Sequence, residues 1–266
     1  MSGSDHQSPA APPALDQCHA VITGGATGIG AAIADALAAL GCRLTLVGRS
    51  LPRLAAKAAA LPQARGFAAD IAREDEVAAA FAAATAEFGP IAILINNAGL
   101  APAQPFLQTD AATWQNSLDV NLTGAFFCAR AVLPAMLDAG WGRIVTIAST
   151  AGLVGYKGVA AYVAAKHGVI GLTRALALEF ARSGVTVNAV CPGYTETDMA
   201  LSALDNIRTR SGRSDAEARA LLAAKNPQAR LVRPEEVANS VVWLCSPGSE
   251  AVTGQSIAVC GGEVMT

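Results

Sequence analysis

Charge is scarce in this sequence. Only 15% of the 266 residues are charged, while 52% are apolar and the mean hydropathy is +0.37. A chain so poor in charge and so rich in Ala, Val, Ile and Leu is not a disordered one; it buries a large core. The 19 basic and 21 acidic residues leave a formal charge of −2, so no net positive field invites nucleic acid. Histidine is nearly absent: His6, His19 and His167 stand alone, with no Cys, Asp or Glu at ligand spacing, and no metal site is expected. The six cysteines (Cys18, Cys42, Cys128, Cys191, Cys245, Cys260) form no CxxC, which speaks for reduced thiols in the cytoplasm rather than a disulfide framework.

Other absences concern the ends and the membrane. Residues 1–16 carry no basic region followed by an apolar stretch, so no secretory signal is expected there. Their Ser, Pro and Gly content suits a flexible tail, placed at 1–17, ahead of a single domain at 18–266. No apolar run is read as reaching the roughly 18 residues of a membrane span, so no membrane partner is expected.

What is present is a rhythm. Short apolar runs at 18–23, 43–48, 64–69, 91–96, 143–148, 185–190 and 256–260 alternate with helix-length, Ala-rich segments such as 29–40, 74–88, 118–137 and 160–181. The runs are apolar at consecutive positions, the mark of strands covered on both faces. Strand–helix–strand repetition of this kind builds right-handed βαβ units and a doubly wound α/β fold with a parallel sheet. One segment, 195–233, breaks the rhythm. It is polar, carries Gly212 and Pro227, and reads as one or two short helices folded over a site as a lid.

The first run leads into Thr23-Gly24-Gly25-Ala26-Thr27-Gly28-Ile29-Gly30 and then a helix. Glycines there permit a tight turn and a close approach of backbone to a pyrophosphate, and the helix start offers free N–H groups. After the second run, where an acid would accept the ribose 2′-hydroxyl of NAD, the chain has Gly48-Arg49-Ser50. Arg49 can instead pair with a 2′-phosphate, which favours NADP(H) while leaving NAD(H) open. Tyr162 and Lys166, four apart on a helical pattern, share one face. A lysine ammonium beside a phenol is expected to lower its pKa and fit it for acid–base work. Ser149, thirteen residues upstream, can hydrogen-bond a carbonyl oxygen.

Together with Asn96-Asn97-Ala98-Gly99, Asn121 and Pro192-Gly193 followed by Thr197, these motifs resemble the short-chain dehydrogenase/reductases, from Cys18 to the end of the chain. The resemblance implies a Rossmann-like sheet of seven strands with the cofactor across its C-terminal edge. Tyr162 looks like the general acid/base and Lys166 like the holder of the nicotinamide ribose. Ser149 would orient the carbonyl, and Asn121 would hold a water in a proton relay. Asn97, Ala98 and Gly99 would support the sheet and approach the adenosine ribose, and Asp70 with Ile71 would lie near the adenine. The backbone N–H of Thr195 and the side chain of Thr197 look like contacts for the carboxamide. The resemblance is nearest to aromatic-polyketide ketoreductases and 3-hydroxyacyl-CoA dehydrogenases, and it also implies a homotetramer.

Within 199–233, seven basic residues face three acidic ones. That excess suits either the phosphates of a CoA or acyl-carrier-protein arm or an ordinary solvated face. Three functions follow: a reductase of a 3-oxoacyl thioester using NADPH, an NAD-dependent dehydrogenase of an aryl or alicyclic secondary alcohol, and a catalytically silent nucleotide sensor. The intact Asn121, Ser149, Tyr162 and Lys166 set counts against the last, because a binder has no use for a tuned tyrosine.

Overall fold

A computed structural model describes residues 13–265. Seven parallel strands form one sheet: β1 (His19–Thr23), β2 (Arg43–Gly48), β3 (Ala64–Ala68), β4 (Ile93–Asn96), β5 (Gly142–Ile147), β6 (Val185–Pro192) and β7 (Ser256–Val259). Their spatial order is β3-β2-β1-β4-β5-β6-β7, so the winding direction reverses between β1 and β4. In such sheets the crevice beyond the carboxyl ends of the strands, at that reversal, is where ligands bind.

The burial of the strands explains the apolar runs. Every residue of β1, β4, β5 and β6 is buried, whereas the edge strands β3 and β7 are largely part-exposed. Successive residues of one strand serve opposite layers. Ile22, Ile93 and Ile95 pack with Ile33 and Leu37 of α1 (Gly28–Ala39) and Val237 and Val241 of α9 (Pro234–Cys245). Val21 and Leu94 pack the other way, against Phe81 of α3 (Glu74–Phe88) and Val132 and Met136 of α5 (Gly124–Ala139). α6 (Ala160–Glu179) joins that second layer through Ala177. α2 (Leu51–Ala59) connects β2 to β3.

Three features bear on the expectations: two differ from them, and the pair of helices within 195–233 agrees. The helix expected at 118–137 begins earlier: α4 (Ala111–Leu118) runs through a π-helical turn, Asp119–Thr123, straight into α5. This run, Ala111–Ala139, is long and apolar enough by composition to cross a membrane, contrary to the reading that no stretch is; much of its apolar surface is the side that α5 packs on the sheet. The segment 195–233 holds α7 (Asp198–Ser211) and α8 (Asp215–Ala223), together with a single parallel bridge between Thr195 and Val232. Finally, Leu15–Gln17 is a 3-10 turn docked on the sheet's lower end: Leu15 O accepts from the Cys42 thiol at 3.0 Å, and Gln17 O accepts from the Arg43 guanidinium. Residues 1–12 of the expected tail lie outside the described residues.

Candidate active site

The turn after β1 is shaped by its glycines. Gly24 and Gly28 have φ of +65° and +52°, in the left-handed region that favours glycine. A Cβ on Gly30 would stand 2.3 Å from Gly24 O and 2.5 Å from Asn97 Nδ2, so the helix can approach the turn this closely only without a side chain. Thr27 caps α1 with no side-chain hydrogen bond, and no acidic residue occupies the first turn. The N–H groups of Gly28, Ile29 and Gly30 therefore lie ahead of the helical ladder and point to the crevice, an arrangement that fits the phosphates of a dinucleotide.

Asn97 fastens β4 to this turn. Its Nδ2 donates to Thr23 O (2.9 Å) and Gly24 O (3.2 Å). The Thr23 hydroxyl accepts from the N–H groups of Asn97 and Ala98, both at 3.0 Å. Thr23, not singled out from the sequence, is thus the hub of the switch point. At the end of β2, Arg49 and Ser50 are exposed; Ser50 is the N-cap of α2, and Arg49 makes no ion pair among the described residues. Beyond β3, Asp70 Oδ1 accepts from the Ala72 N–H (3.0 Å) while its own N–H donates to Glu76 (2.8 Å). Ile71 is buried beneath Gly124, where a Cβ would stand 2.8 Å from Ile71 Cδ1.

On the other side of the crevice, β5, β6, α6 and the π turn bring four expected residues together. Ser149 follows β5, where its hydroxyl accepts from the Ala151 N–H at 3.1 Å and lies near enough to the Tyr162 phenol to favour its ionised form. Lys166 Nζ donates to Ile147 O at 2.8 Å and lies 5.6 Å from the centroid of the Tyr162 ring. A Cβ on Gly99 would stand 2.8 Å from Asn121 Oδ1 and 3.7 Å from Lys166 Nζ, so the β4 loop passes between these two side chains only as glycine. Asn121 sits in the π turn, where its Nδ2 donates to Ser117 O and Leu100 O, both at 2.9 Å, and its Oδ1 accepts from the Leu100 N–H. Its side chain is a strut between α4 and the β4 loop.

Pro192 ends β6, and the N–H of Gly193 donates to Val259 O at 3.1 Å. The bridge to Val232 uses Tyr194 O and the Glu196 N–H, leaving the Thr195 N–H out of it, as a backbone contact to a ligand requires. Thr197 caps α7 and lies against Gly28, whose added Cβ would stand 3.0 Å from Thr197 Cγ2. The two halves of the crevice meet there.

The electrostatics correct one expectation. Burial pushes the Tyr162 phenol above its ordinary pKa; the nearby Ser149 hydroxyl works the other way but does not win, and Lys166 is not among the groups that shift it. Lys166 itself, 4% exposed, is held down to about 8 by burial. The neighbouring Cys191 thiol is pushed up to about 11 by the same cause. Desolvation, not the lysine–tyrosine pair, sets these values.

The structure also bears on the basic excess of 199–233. Arg208 pairs with Asp205 and Asp215, Arg219 with Glu196, and Arg230 and Arg233 with Glu236. Much of the charge expected to face a phosphate is spent inside the protein. Tyr156, Tyr194 and Glu263, which come together at the same end of the site, were not singled out: Tyr194 lies within the Pro192–Thr197 run, and Tyr156 and Glu263 belong to no motif.

Residues 18–207 match the family model described as short chain dehydrogenase. The chain is 41% identical over 249 residues to a Streptomyces coelicolor protein provisionally named a ketoacyl reductase, covering 91% of this chain and 95% of that one. It is 40% identical over 248 residues to the cis-4-hydroxycyclohexanecarboxylate dehydrogenase of Sinomonas cyclohexanicum, with 91% and 95% covered. Among solved structures, actinorhodin polyketide ketoreductase with NADPH superposes with a TM-score of 0.90 at 40% identity, over 94% of this chain and 98% of that one.

Proposed function

This chain belongs to the short-chain dehydrogenase family, NAD(P)-dependent oxidoreductases acting between keto and alcohol groups, and from that premise we propose that it reduces the ketone of a 3-oxoacyl thioester with NADPH. The observation that carries this reading is the gathering of Ser149, Tyr162 and Lys166 at the carboxyl edge of β5 and β6, with Lys166 Nζ 5.6 Å from the centroid of the phenol ring and anchored on Ile147 O. A nicotinamide cofactor, when bound, supplies the hydride. The side chains do the rest. Ser149 and Tyr162 donate hydrogen bonds to the carbonyl oxygen, and Tyr162 delivers its proton to that oxygen as the alcohol forms. A phenol raised by burial is protonated at neutral pH, the state that reduction needs. Lys166 holds the nicotinamide ribose and lends positive charge as the phenolate develops.

On the cofactor side, Gly24, Thr27, Gly28, Ile29 and Gly30 cradle the pyrophosphate, and Asp70, Ile71, Asn97, Ala98 and Gly99 flank the adenosine. Pro192, Gly193, Thr195 and Thr197 hold the nicotinamide. Arg49 and Ser50 take the 2′-phosphate. Arg49 has no competing ion pair among the described residues, and the neighbouring start of α2 adds its N–H groups. We read 195–233 as the lid. The homotetramer and the cytoplasmic location expected from the sequence belong to the same proposal; exposed Phe126 and Leu178, on α5 and α6, are apolar surface that an assembly would cover.

A second reading has its own support. The relative acting on an alicyclic alcohol is 40% identical, and the paired lid arginines weaken the case for CoA phosphates. One experiment separates the two: purified protein is given acetoacetyl-CoA and an aryl or alicyclic ketone, each with NADPH and with NADH. The proposal expects the thioester to be preferred, and NADPH to exceed NADH by roughly 10-fold or more in kcat/KM. Arg49→Ala is expected to erase most of that cofactor preference, and Gly48→Asp to reverse it. Preference for the alicyclic ketone with NADH would establish the second reading instead.

A further inference from the structure

Beside the catalytic residues lies a cavity of about 440 Å³, lined by Val154, Tyr156, Lys225, Glu263, Val264 and Met265. That volume falls in the range of small-molecule sites. It adjoins the catalytic centre through Tyr156, whose hydroxyl lies 2.9 Å from Thr150 Oγ1, next to Ser149 in the chain. Tyr194 joins them from the other side: it lies near enough to both Tyr162 and Glu263 for their charges to interact.

The two charged residues of the lining are held differently. Glu263 is turned into the wall: Oε1 accepts from the Tyr156 hydroxyl at 2.5 Å, and Oε2 is sealed against Gly193, where an added Cβ would stand 2.8 Å from it. Lys225 is exposed at the mouth and makes no ion pair among the described residues. In this it differs from Arg208, Arg219, Arg230 and Arg233 of the same segment, whose charges are spent on carboxylates. Its place is fixed by its neighbours. The Lys225 N–H donates to Leu222 O at 3.2 Å, on the turn that ends α8. Asn226 is buried against Gly261, where an added Cβ would stand 2.0 Å from Asn226 Oδ1, so only glycine admits it. That contact seats Lys225 beside the loop that carries Glu263, Val264 and Met265. The cavity thus joins apolar side chains, Val154, Val264 and Met265, to one uncompensated cation at its mouth.

We propose that Lys225 is a specificity-determining residue of this site, pairing with an anionic group that the ketone carries beyond an apolar body lodged against Val154, Val264 and Met265. The inference rests on the ketone reaction proposed above and narrows its substrate. An ammonium is a compact point charge with three donors, and it serves a carboxylate and a phosphate alike. Two sources supply such an anion: a carboxylate on the ketone itself, or the phosphate of a phosphopantetheine thioester arm.

Two substrate pairs test this, each differing in the anionic group alone. The first is 4-oxocyclohexanecarboxylate against 4-oxocyclohexanecarboxamide. The second is S-acetoacetyl-phosphopantetheine against S-acetoacetyl-pantetheine, which lacks the phosphate. The readout is the ratio of kcat/KM, charged over neutral, within each pair. It is measured with NADPH and with NADH for the wild type, Lys225→Met and Lys225→Glu. The wild type is expected to favour the charged member of at least one pair by roughly 5-fold, the size of an ion pair at an exposed lysine, and the pair that responds identifies the source of the anion. In Lys225→Met that ratio falls toward one, and in Lys225→Glu it falls below one. The side chain is exposed, so both variants are expected to fold. Wild-type ratios at or below one in both pairs, or a preference that survives both substitutions, would overturn the proposal. Failure of the wild type to turn over any of the four compounds would instead overturn the ketone reaction on which it rests.

Discussion

Lys166 is an expensive residue to bury. Its ammonium is 4% exposed, makes one hydrogen bond, to Ile147 O, and has no carboxylate beside it. Burial lowers its pKa from 10.5 to about 8, a difference on the order of 3 kcal/mol between its protonation states. The consequence for stability has a definite sign. Between about pH 8 and pH 10.5 the unfolded chain holds the extra proton, so this residue's contribution to stability rises with pH through that window. Below pH 8 both states are protonated and the cost of burying the charge is present in full. Lys166→Met is therefore expected to gain on the wild type in urea denaturation at pH 7, with the advantage shrinking toward pH 10.5. A difference in stability that is flat across this range would show that the ammonium is solvated in the fold. In the proposed reaction that cost is offset by use: Lys166 would hold the nicotinamide ribose and lend positive charge as the phenolate develops. The pairing of Tyr162 with Lys166 was legible from their spacing of four, but the direction of the phenol's shift was not. A helical pattern reports which side chains are neighbours and says nothing of how deeply β5 and β6 bury them.

At the level of elements, the βα turn and the π turn are the two places where local structure is bent to suit the site. In the first, Gly30 stands in the first turn of α1, where alanine is ordinarily the better helix former by up to about 1 kcal/mol. Here its methyl would meet Gly24 O at 2.3 Å, so Gly30→Ala is expected to cost about 1–3 kcal/mol of stability instead, read from the denaturation midpoint. Cofactor affinity should fall with it, because relief of the clash moves the turn that carries the N–H groups. A neutral or stabilising effect would mean the turn is not closely packed. In the π turn, one extra residue per turn carries Asn121 into the gap between α4 and the β4 loop; such bulges concentrate at functional sites. The strands were legible because both their faces are covered, which leaves consecutive apolar residues. The π turn was not, since its sequence, Asp-Val-Asn-Leu-Thr, has an ordinary helical look. Nor was the contact between Tyr156 and Glu263, which spans 107 residues and belongs to no periodic pattern.

Across the whole molecule, the order of the strands does the gathering. Reversal of the winding between β1 and β4 opens one crevice; most residues of chemical interest stand at or just beyond the carboxyl ends of six strands, and the π turn and α6 bring Asn121, Tyr162 and Lys166 to the same edge. No two of the elements that hold Asn121, Ser149 and Tyr162 are the same, so the site exists only when the sheet is complete. The segment 195–233 shows the opposite limit of legibility. Its surplus of arginines could be counted in the sequence, but their partners Glu196 and Glu236 lie outside the counted stretch, and the pairing uses up much of the field that the count suggested. The central claim is that this assembly exists to move a proton through Tyr162 while a cofactor is held across the crevice. Tyr162→Phe removes one oxygen atom and tests that claim directly, with steady-state NADPH consumption and NADPH affinity measured on the same preparation. The account predicts that affinity is kept within a few-fold while kcat falls by roughly 10²–10⁴-fold. A variant that binds NADPH and turns over ketone at near the wild-type rate would contradict it.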